Sequence, residues 1–280
     1  MAEKPTIDAL RIDEIEVSDE GDAIIALLTI HRPAKLNALN GEVSDAIKQA
    51  MAWAEADSRV RVVVIRGAAP SKPAEGERSK PAAFVAGADI TEFVGRSSAY
   101  IRESFADNPW EAIWNMPKPT IAMVDGFALG GGCELALACD IRIASDRSRF
   151  GTPEIDLGLI PGGGGTQRLC HLVGYGKAME MVMGGEMVDA AEAHRIGLVN
   201  HVTSVDLLEE RTMALAKTLA AKSPLTILVA KRAVRDALDT SISDGILMER
   251  EAFADLFDSQ DMQIGVDAFL KREKPEWTGR

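Results

Sequence analysis

Two glutamates, Glu134 and Glu154, stand twenty positions apart, each at the end of a glycine-bearing segment. The first closes Val124-Asp125-Gly126-Phe127-Ala128-Leu129-Gly130-Gly131-Gly132-Cys133-Glu134. The second closes Phe150-Gly151-Thr152-Pro153-Glu154 and is followed by Ile160-Pro161-Gly162-Gly163-Gly164-Gly165-Thr166. Glycine lets backbone N–H groups approach a ligand without a steric cost, and a carboxyl supplies an oxygen that takes or gives a proton. The chemistry this combination suits is acid–base work on an activated carbonyl, with an oxyanion hole beside two carboxylates.

Taken singly, these residues have plainer readings. Glu134 suits the first turn of a helix, where the macrodipole favours a negative charge, and Glu154 after Pro153 suits a solvated loop. The glycines before Glu134 also permit tight strand–helix packing. Free N–H groups at that helix start could hold an anion, but the spacing matches neither G-x-x-x-x-G-K-[ST] nor G-x-G-x-x-G, which speaks against nucleotide sites of those kinds. A second glycine turn, Phe84-Val85-Ala86-Gly87-Ala88-Asp89-Ile90, could bring another N–H to the same point, and there Asp89 could equally cap the next element. Only the ordered combination favours catalysis.

The elements that must position these groups read as follows. Residues 1–22 are polar and acidic, an extended lead-in. Ile24 to Ile30 is a buried strand, and Asn40 caps a helix that buries Val43, Ala46, Ile47, Ala50 and Ala54. Val60 to Ile65 is a strand, residues 68–81 with their three prolines form a surface loop, and Ala83 to Val85 is a short strand. Trp110 and Trp114, four apart on a helix, read as apolar packing rather than ligand contacts. Thr120 to Val124 and Ile141 to Ala144 are strands that flank a buried helix from Glu134 to Cys139. From about Asp206 onward the apolar spacing is helical throughout. Alternating strands and helices, then helices alone, predict an α/β core over residues 1–205 and a helical segment over 206–280.

Bulk properties exclude several function classes. With 280 residues, 46% of them apolar, the chain can bury a sizeable core. A net charge of −12 provides no general basic field for nucleic acid, so a polyanionic ligand needs a local basic cluster. Cys133, Cys139 and Cys170 form no C-x-x-C pair and read as small buried hydrophobes in a reducing compartment. The histidines are scattered, so no metal site is expected. The N-terminus has no apolar signal-like core and no apolar run reaches membrane-spanning length, which predicts a cytoplasmic protein that does not enter membranes.

In order, five segments resemble the crotonase (enoyl-CoA hydratase/isomerase) superfamily. They are Arg32-Pro33-Ala34-Lys35-Leu36-Asn37-Ala38-Leu39, the Phe84–Ile90 turn, the Gly126–Asp140 run, Phe150–Glu154 through Thr166-Gln167-Arg168-Leu169, and Ala193-His194-Arg195-Ile196-Gly197-Leu198-Val199. The resemblance spans about residues 20–275. It implies a spiral of ββα turns with a helical C-terminal oligomerisation segment, assembled as a homotrimer or a hexamer of stacked trimers. It also implies an acyl-CoA thioester substrate, no separate cofactor and no nucleic-acid partner.

By motif position, the oxyanion hole implied is the pair of N–H groups of Ala88 and Gly131. The segment Ala86, Gly87, Asp89 and Ile90 would contact adenine, and Arg32 and Lys35 would meet the CoA phosphates. Phe269 and Arg272 would reach a neighbouring subunit's CoA; Arg272 stands where lysine is common. Glu134 and Glu154 would hold one water and add it syn across the 2,3 double bond of a trans-2-enoyl-CoA. Rival readings are a dehydratase of one 3-hydroxyacyl-CoA such as 3-hydroxypropionyl-CoA, and a Δ3-Δ2-enoyl-CoA isomerase, which commonly lacks the first glutamate. The long loop at 68–81 and the order Ala34-Lys35 depart from the common pattern.

Overall fold

The acidic lead-in hides the first strand. In β1 (Leu10–Glu16), Leu10 and Ile12 turn inward while Arg11 and Asp13 face solvent, a period of two that the many acidic residues obscure. The expected extended lead-in is therefore a sheet edge, paired antiparallel with β2 (Ile24–Ile30). Residues 3–18, 21–71 and 79–280 are described by this computed structural model. Residues 72–78 of the proline-rich loop lie outside them.

β2 is buried at every position because both faces of its sheet are covered. After it, the Asn40 side chain accepts the Val43 N–H and starts α1 (Gly41–Ala56), which buries the five predicted apolar residues. Next come β3 (Val60–Gly67), β4 (Ala83–Val85), α2 (Ser98–Ser104), α3 (Pro109–Trp114), β5 (Thr120–Val124) and β6 (Phe127–Leu129). They are followed by α4 (Gly131–Ala138), β7 (Ile141–Ser145), β8 (Arg149–Gly151), α5 (Gly165–Val173) and α6 (Tyr175–Gly184). The chain then forms β9 (Val188–Asp189), α7 (Ala190–Arg195) and β10 (His201–Thr203). It ends in α8 (Leu208–Ala220), α9 (Pro224–Asp236), α10 (Ile242–Asp255) and α11 (Gln260–Lys271).

The strands fall into two sheets. The larger has the order β1-β2-β3-β5-β7-β10 and is parallel apart from β1; the smaller is β4-β6-β8-β9. Each turn of the chain lays one strand in the large sheet and the next in the small sheet, so β3–β4, β5–β6 and β7–β8 are successive turns of a spiral. In-register partners on adjacent small-sheet strands, Leu129 and Gly151, are 22 residues apart. The spacing of Glu134 and Glu154 is thus close to one spiral turn.

One face of the large sheet packs Ala26, Leu28, Ile30, Val63 and Ile65 into a core shared with α1, α4 and the small sheet. The other face presents Ile25, Leu27, Val62, Val64, Ile121, Met123 and Ile143, and α8 covers it with Leu208, Ala216 and Ala220. Helices α9 and α10 contain no fully buried residue. Cys133 and Cys139 are buried as expected, but Cys170 on α5 is exposed. Among the described residues no single helix is long and apolar enough to cross a membrane.

Candidate active site

Three adjacent parallel strands, β4, β6 and β8, deliver the site from their carboxyl ends. β4 leads to Ala88, β6 to Gly131 and Glu134, and β8 to Glu154. Open α/β sheets commonly bind ligands at this edge, because the chain turns there and exposes backbone donors.

Gly131 and Gly132 lie inside the first turn of α4 rather than ahead of it, correcting the expected helix start at Glu134. Burial of the whole helix and close packing offset the low helix propensity of glycine. The three glycines do different things. Gly130 has φ +51°, and a Cβ there would stand 2.8 Å from Glu154 Oε1. Gly132 lies so tightly against the Val85 backbone that no side chain fits. A Cβ on Gly131 would stand 3.9 Å from the Ala88 nitrogen, so these two amides border one space.

The Ala88 amide is aimed by a parallel bridge. Leu39 N–H donates to the Gly87 carbonyl and Asp89 N–H donates to the Leu39 carbonyl, which turns the N–H of Ala88 between them to the opposite side. Neither Ala88 N–H nor Gly131 N–H has an acceptor among the described residues. Behind them, Trp110 Nε1 donates to the Gly131 carbonyl at 2.9 Å. Trp110 is buried as expected, and it also fixes the first peptide of α4.

Glu134 is 2% exposed. Its Oε1 accepts from the N–H of Gly163 at 2.7 Å and of Gly165 at 2.8 Å. Burial pushes its carboxyl up to about 7; the two amides and Arg168 oppose the rise, and the neighbouring Glu154 adds to it. Glu154 sits in a 3-10 turn, Pro153–Leu157, and burial raises its pKa too. Its Oε2 is buried with no hydrogen-bond partner among the described residues. Glu154 Oε1 occupies the space a Gly130 side chain would take, and its carboxyl is close enough to Glu134 for its charge to be felt there.

The chain belongs to the enoyl-CoA hydratase/isomerase family. That family's model matches residues 20–280. A protein of Rhizobium meliloti named probable enoyl-CoA hydratase is 41% identical over 91% of this chain and 95% of its own length. The short-chain-enoyl-CoA hydratase of Clostridium acetobutylicum is 37% identical over 95% of this chain and 98% of its own. Among solved structures, an enoyl-CoA hydratase subunit from Geobacillus kaustophilus superposes with a TM-score of 0.85 at 38% identity, covering 98% of this chain and 99% of that one. Crotonase-fold relatives thus match the spiral over nearly its whole length.

Other residues that the family resemblance singles out are placed as follows. Ala86 N–H donates to the Leu36 carbonyl and Gly87 has φ +114°, which hold the turn beside the 32–39 segment, while Ile90 is exposed. Arg32 points into this turn: Nη2 pairs with Asp89 at 3.2 Å and Nη1 donates to the Ala38 carbonyl at 2.8 Å. Hydrogen bonds from Thr91 and Arg32 hold the Asp89 carboxyl below its ordinary range. Lys35 is exposed. Phe269 is 83% exposed at the end of α11, and Arg272 caps that helix in a left-handed conformation. Sequence reasoning missed Gly163 and Gly165 as the hydrogen-bonding partners of Glu134. Their signal was the four-glycine run that leads into the first residue of α5, which no helix or strand pattern explains.

Proposed function

We propose that this chain is an enoyl-CoA hydratase, a hydro-lyase that adds water across the 2,3 double bond of trans-2-enoyl-CoA thioesters in acyl-CoA degradation. The observation that carries this reading is the pair of neighbouring carboxyls: Glu134 oriented by two amides, and Glu154 with a buried oxygen left to bond a reactant. In this reading the thioester oxygen lies between the amides of Ala88 and Gly131. These stabilise the enolate-like oxygen as charge moves onto it, each donor contributing about 3 kcal/mol.

Glu134 takes a proton from the water whose oxygen bonds to C3, and Glu154 gives its own proton to C2. One water is consumed per turnover, and a proton passes from Glu134 to Glu154 to reset the pair. The roles require one carboxyl ionised and the other protonated, a state that two neighbouring carboxyls in a buried site favour. The isomerase reading is weaker because Glu134 is present and oriented. Dehydration of a 3-hydroxyacyl-CoA is the same reaction reversed.

For the CoA moiety, the exposed Lys35 suits a phosphate better than Arg32, whose guanidinium is engaged by Asp89 and Ala38. The 86–90 turn offers backbone groups to adenine. The exposed apolar faces of α9 to α11 support a homotrimer or hexamer in which Phe269 and Arg272 meet a neighbour's CoA. The deciding experiment follows loss of enoyl-thioester absorbance across straight-chain enoyl-CoAs of increasing length, starting with crotonyl-CoA. Hydration of at least one, abolished in the Glu134→Gln/Glu154→Gln double variant, is expected. Isomerisation of 3-enoyl-CoA without hydration would overturn the assignment.

A further inference from the structure

A chain of contacts runs from the back of Glu134 to the C-terminal helices. Both amides that bind Glu134 belong to the turn 162–165. The carbonyl of that turn's Gly163 accepts from Arg168 Nη1 at 2.6 Å, so Arg168 holds the Gly163–Gly164 peptide, which lies between the two peptides whose N–H groups face the carboxylate. The Arg168 guanidinium carbon lies 4.6 Å from the centre of the Trp114 ring. A second guanidinium, that of Arg235 on α9, lies 3.9 Å from the same ring and pairs with Asp140 at 2.8 Å. Lys231, one turn earlier on α9, pairs with the other Asp140 oxygen at 2.6 Å. Two cations over one ring are attracted to its face, and a planar guanidinium can stack there while it donates in its own plane.

We propose that Arg168 is a positioning residue for Glu134: held over Trp114, it fixes the glycine turn whose amides orient the carboxylate, and Arg235 ties helix α9 to the same ring. The inference rests on the hydratase reading for its kinetic test. Arg168 touches neither carboxyl and acts through the Gly163–Gly164 peptide and through its charge. The charged groups around this pair are Glu154 on its 3-10 turn, Glu111 on α3 and Arg235 on α9. Cys133, next to Glu134, has its thiol pushed up to about 12 by burial and stays neutral.

A cation near Glu134 favours its carboxylate, so losing Arg168 raises the proton affinity of Glu134. Activity that needs the ionised base then fails at a higher pH. Arg168→Gln should lower kcat roughly tenfold, leave KM within about twofold, and move the acid limb of kcat/KM up by about half a unit or more. Arg168→Lys should restore the acid limb through its charge but recover kcat only in part, because lysine cannot stack and donate as a fork. Arg235→Gln should lower kcat in the same sense but less, and its effect should not add to that of Arg168→Gln.

A folded Arg168→Gln protein with unchanged kcat and acid limb, or one altered only in KM, overturns the positioning role. Full additivity of the Arg235 and Arg168 variants overturns the link to α9. NMR titration of carbon-13-labelled glutamate needs no turnover. An upward shift of the Glu134 carboxyl in Arg168→Gln supports the inference even if wild type hydrates no enoyl-CoA, and an unmoved titration overturns it.

Discussion

Glu134 is held in a place that disfavours its ionised form, and this has two separable consequences. If it is the base, kcat/KM should fall on the acid side with an apparent pKa of about 7, and Glu134→Gln should lower kcat about a hundredfold or more. A crotonyl-CoA assay across pH reads both; near-normal turnover in Glu134→Gln would remove the two-carboxylate mechanism. The second consequence concerns stability. An unfolded glutamate titrates at about 4.3, so the folded state holds this proton more tightly than the unfolded chain. Stability from this group is therefore full below the unfolded value and is lost as pH rises towards about 7. Glutamine carries no such cost and can still accept from Gly163 and Gly165. Thermal melts should show Glu134→Gln gaining on wild type between about pH 5 and about pH 8, by up to about 3 kcal/mol. An advantage that is flat with pH would mean that Glu134 titrates normally. Gly131→Pro probes the other half of the site. Gly131 is the first residue of α4, where proline fits a helix, yet the substitution deletes the N–H and puts a ring beside Ala88. Circular dichroism should remain helical while turnover collapses.

At the scale of elements, what was legible in the chain depended on how many faces each element buries. β2 is buried at every position and apolar at all but Thr29, so its bounds are readable, and α1 carries both a cap and a clean apolar stripe. β1 buries one face only, and its alternation is lost among acidic side chains. The start of α4 was misread because glycine signals a turn in isolation, whereas here Gly131 and Gly132 are helical so that the backbone can approach Val85 and Ala88. The two glutamates were legible because their separation is close to one turn of the spiral, a repeat of topology that leaves a spacing in the sequence. Arg32 was harder: a basic residue beside a predicted ligand segment looks like an anion contact, and only three-dimensional placement reveals Asp89 and Ala38 as its partners. Helix α8 is the element on which the rest depends, since it covers Ile25, Leu27, Val62, Val64, Ile121, Met123 and Ile143. Ending the chain after Val205 uncovers that face, and expression should yield insoluble protein. A soluble, active 1–205 fragment would show that α8 is dispensable.

For the molecule as a whole, the distribution of apolar surface argues for assembly. Val234, Ile242, Phe253, Phe257, Phe269 and Leu270, all in the last third of the chain, are each more than half exposed in one subunit. Spread over α9 to α11 and the short turn after α10, they leave a helical layer with apolar residues on the side away from its own core. A net charge of −12 opposes nonspecific clustering, so the proposed burial between subunits has to be specific enough to overcome like-charge repulsion. Light scattering at micromolar concentration should therefore give a trimer or hexamer. Phe253 and Phe257 stack edge to face at 5.2 Å, and replacing both with aspartate puts two charges into the layer without touching the carboxyl site. If Phe269 and Arg272 meet a neighbour's CoA as proposed, the expected product is a smaller species whose KM for enoyl-CoA rises. Arg272→Glu in an intact assembly should raise KM in the same direction while leaving kcat near wild type, which separates loss of the contact from loss of the assembly. Should the double aspartate variant become monomeric with unaltered KM, assembly would serve stability alone, and the CoA contact would have to be found within one subunit.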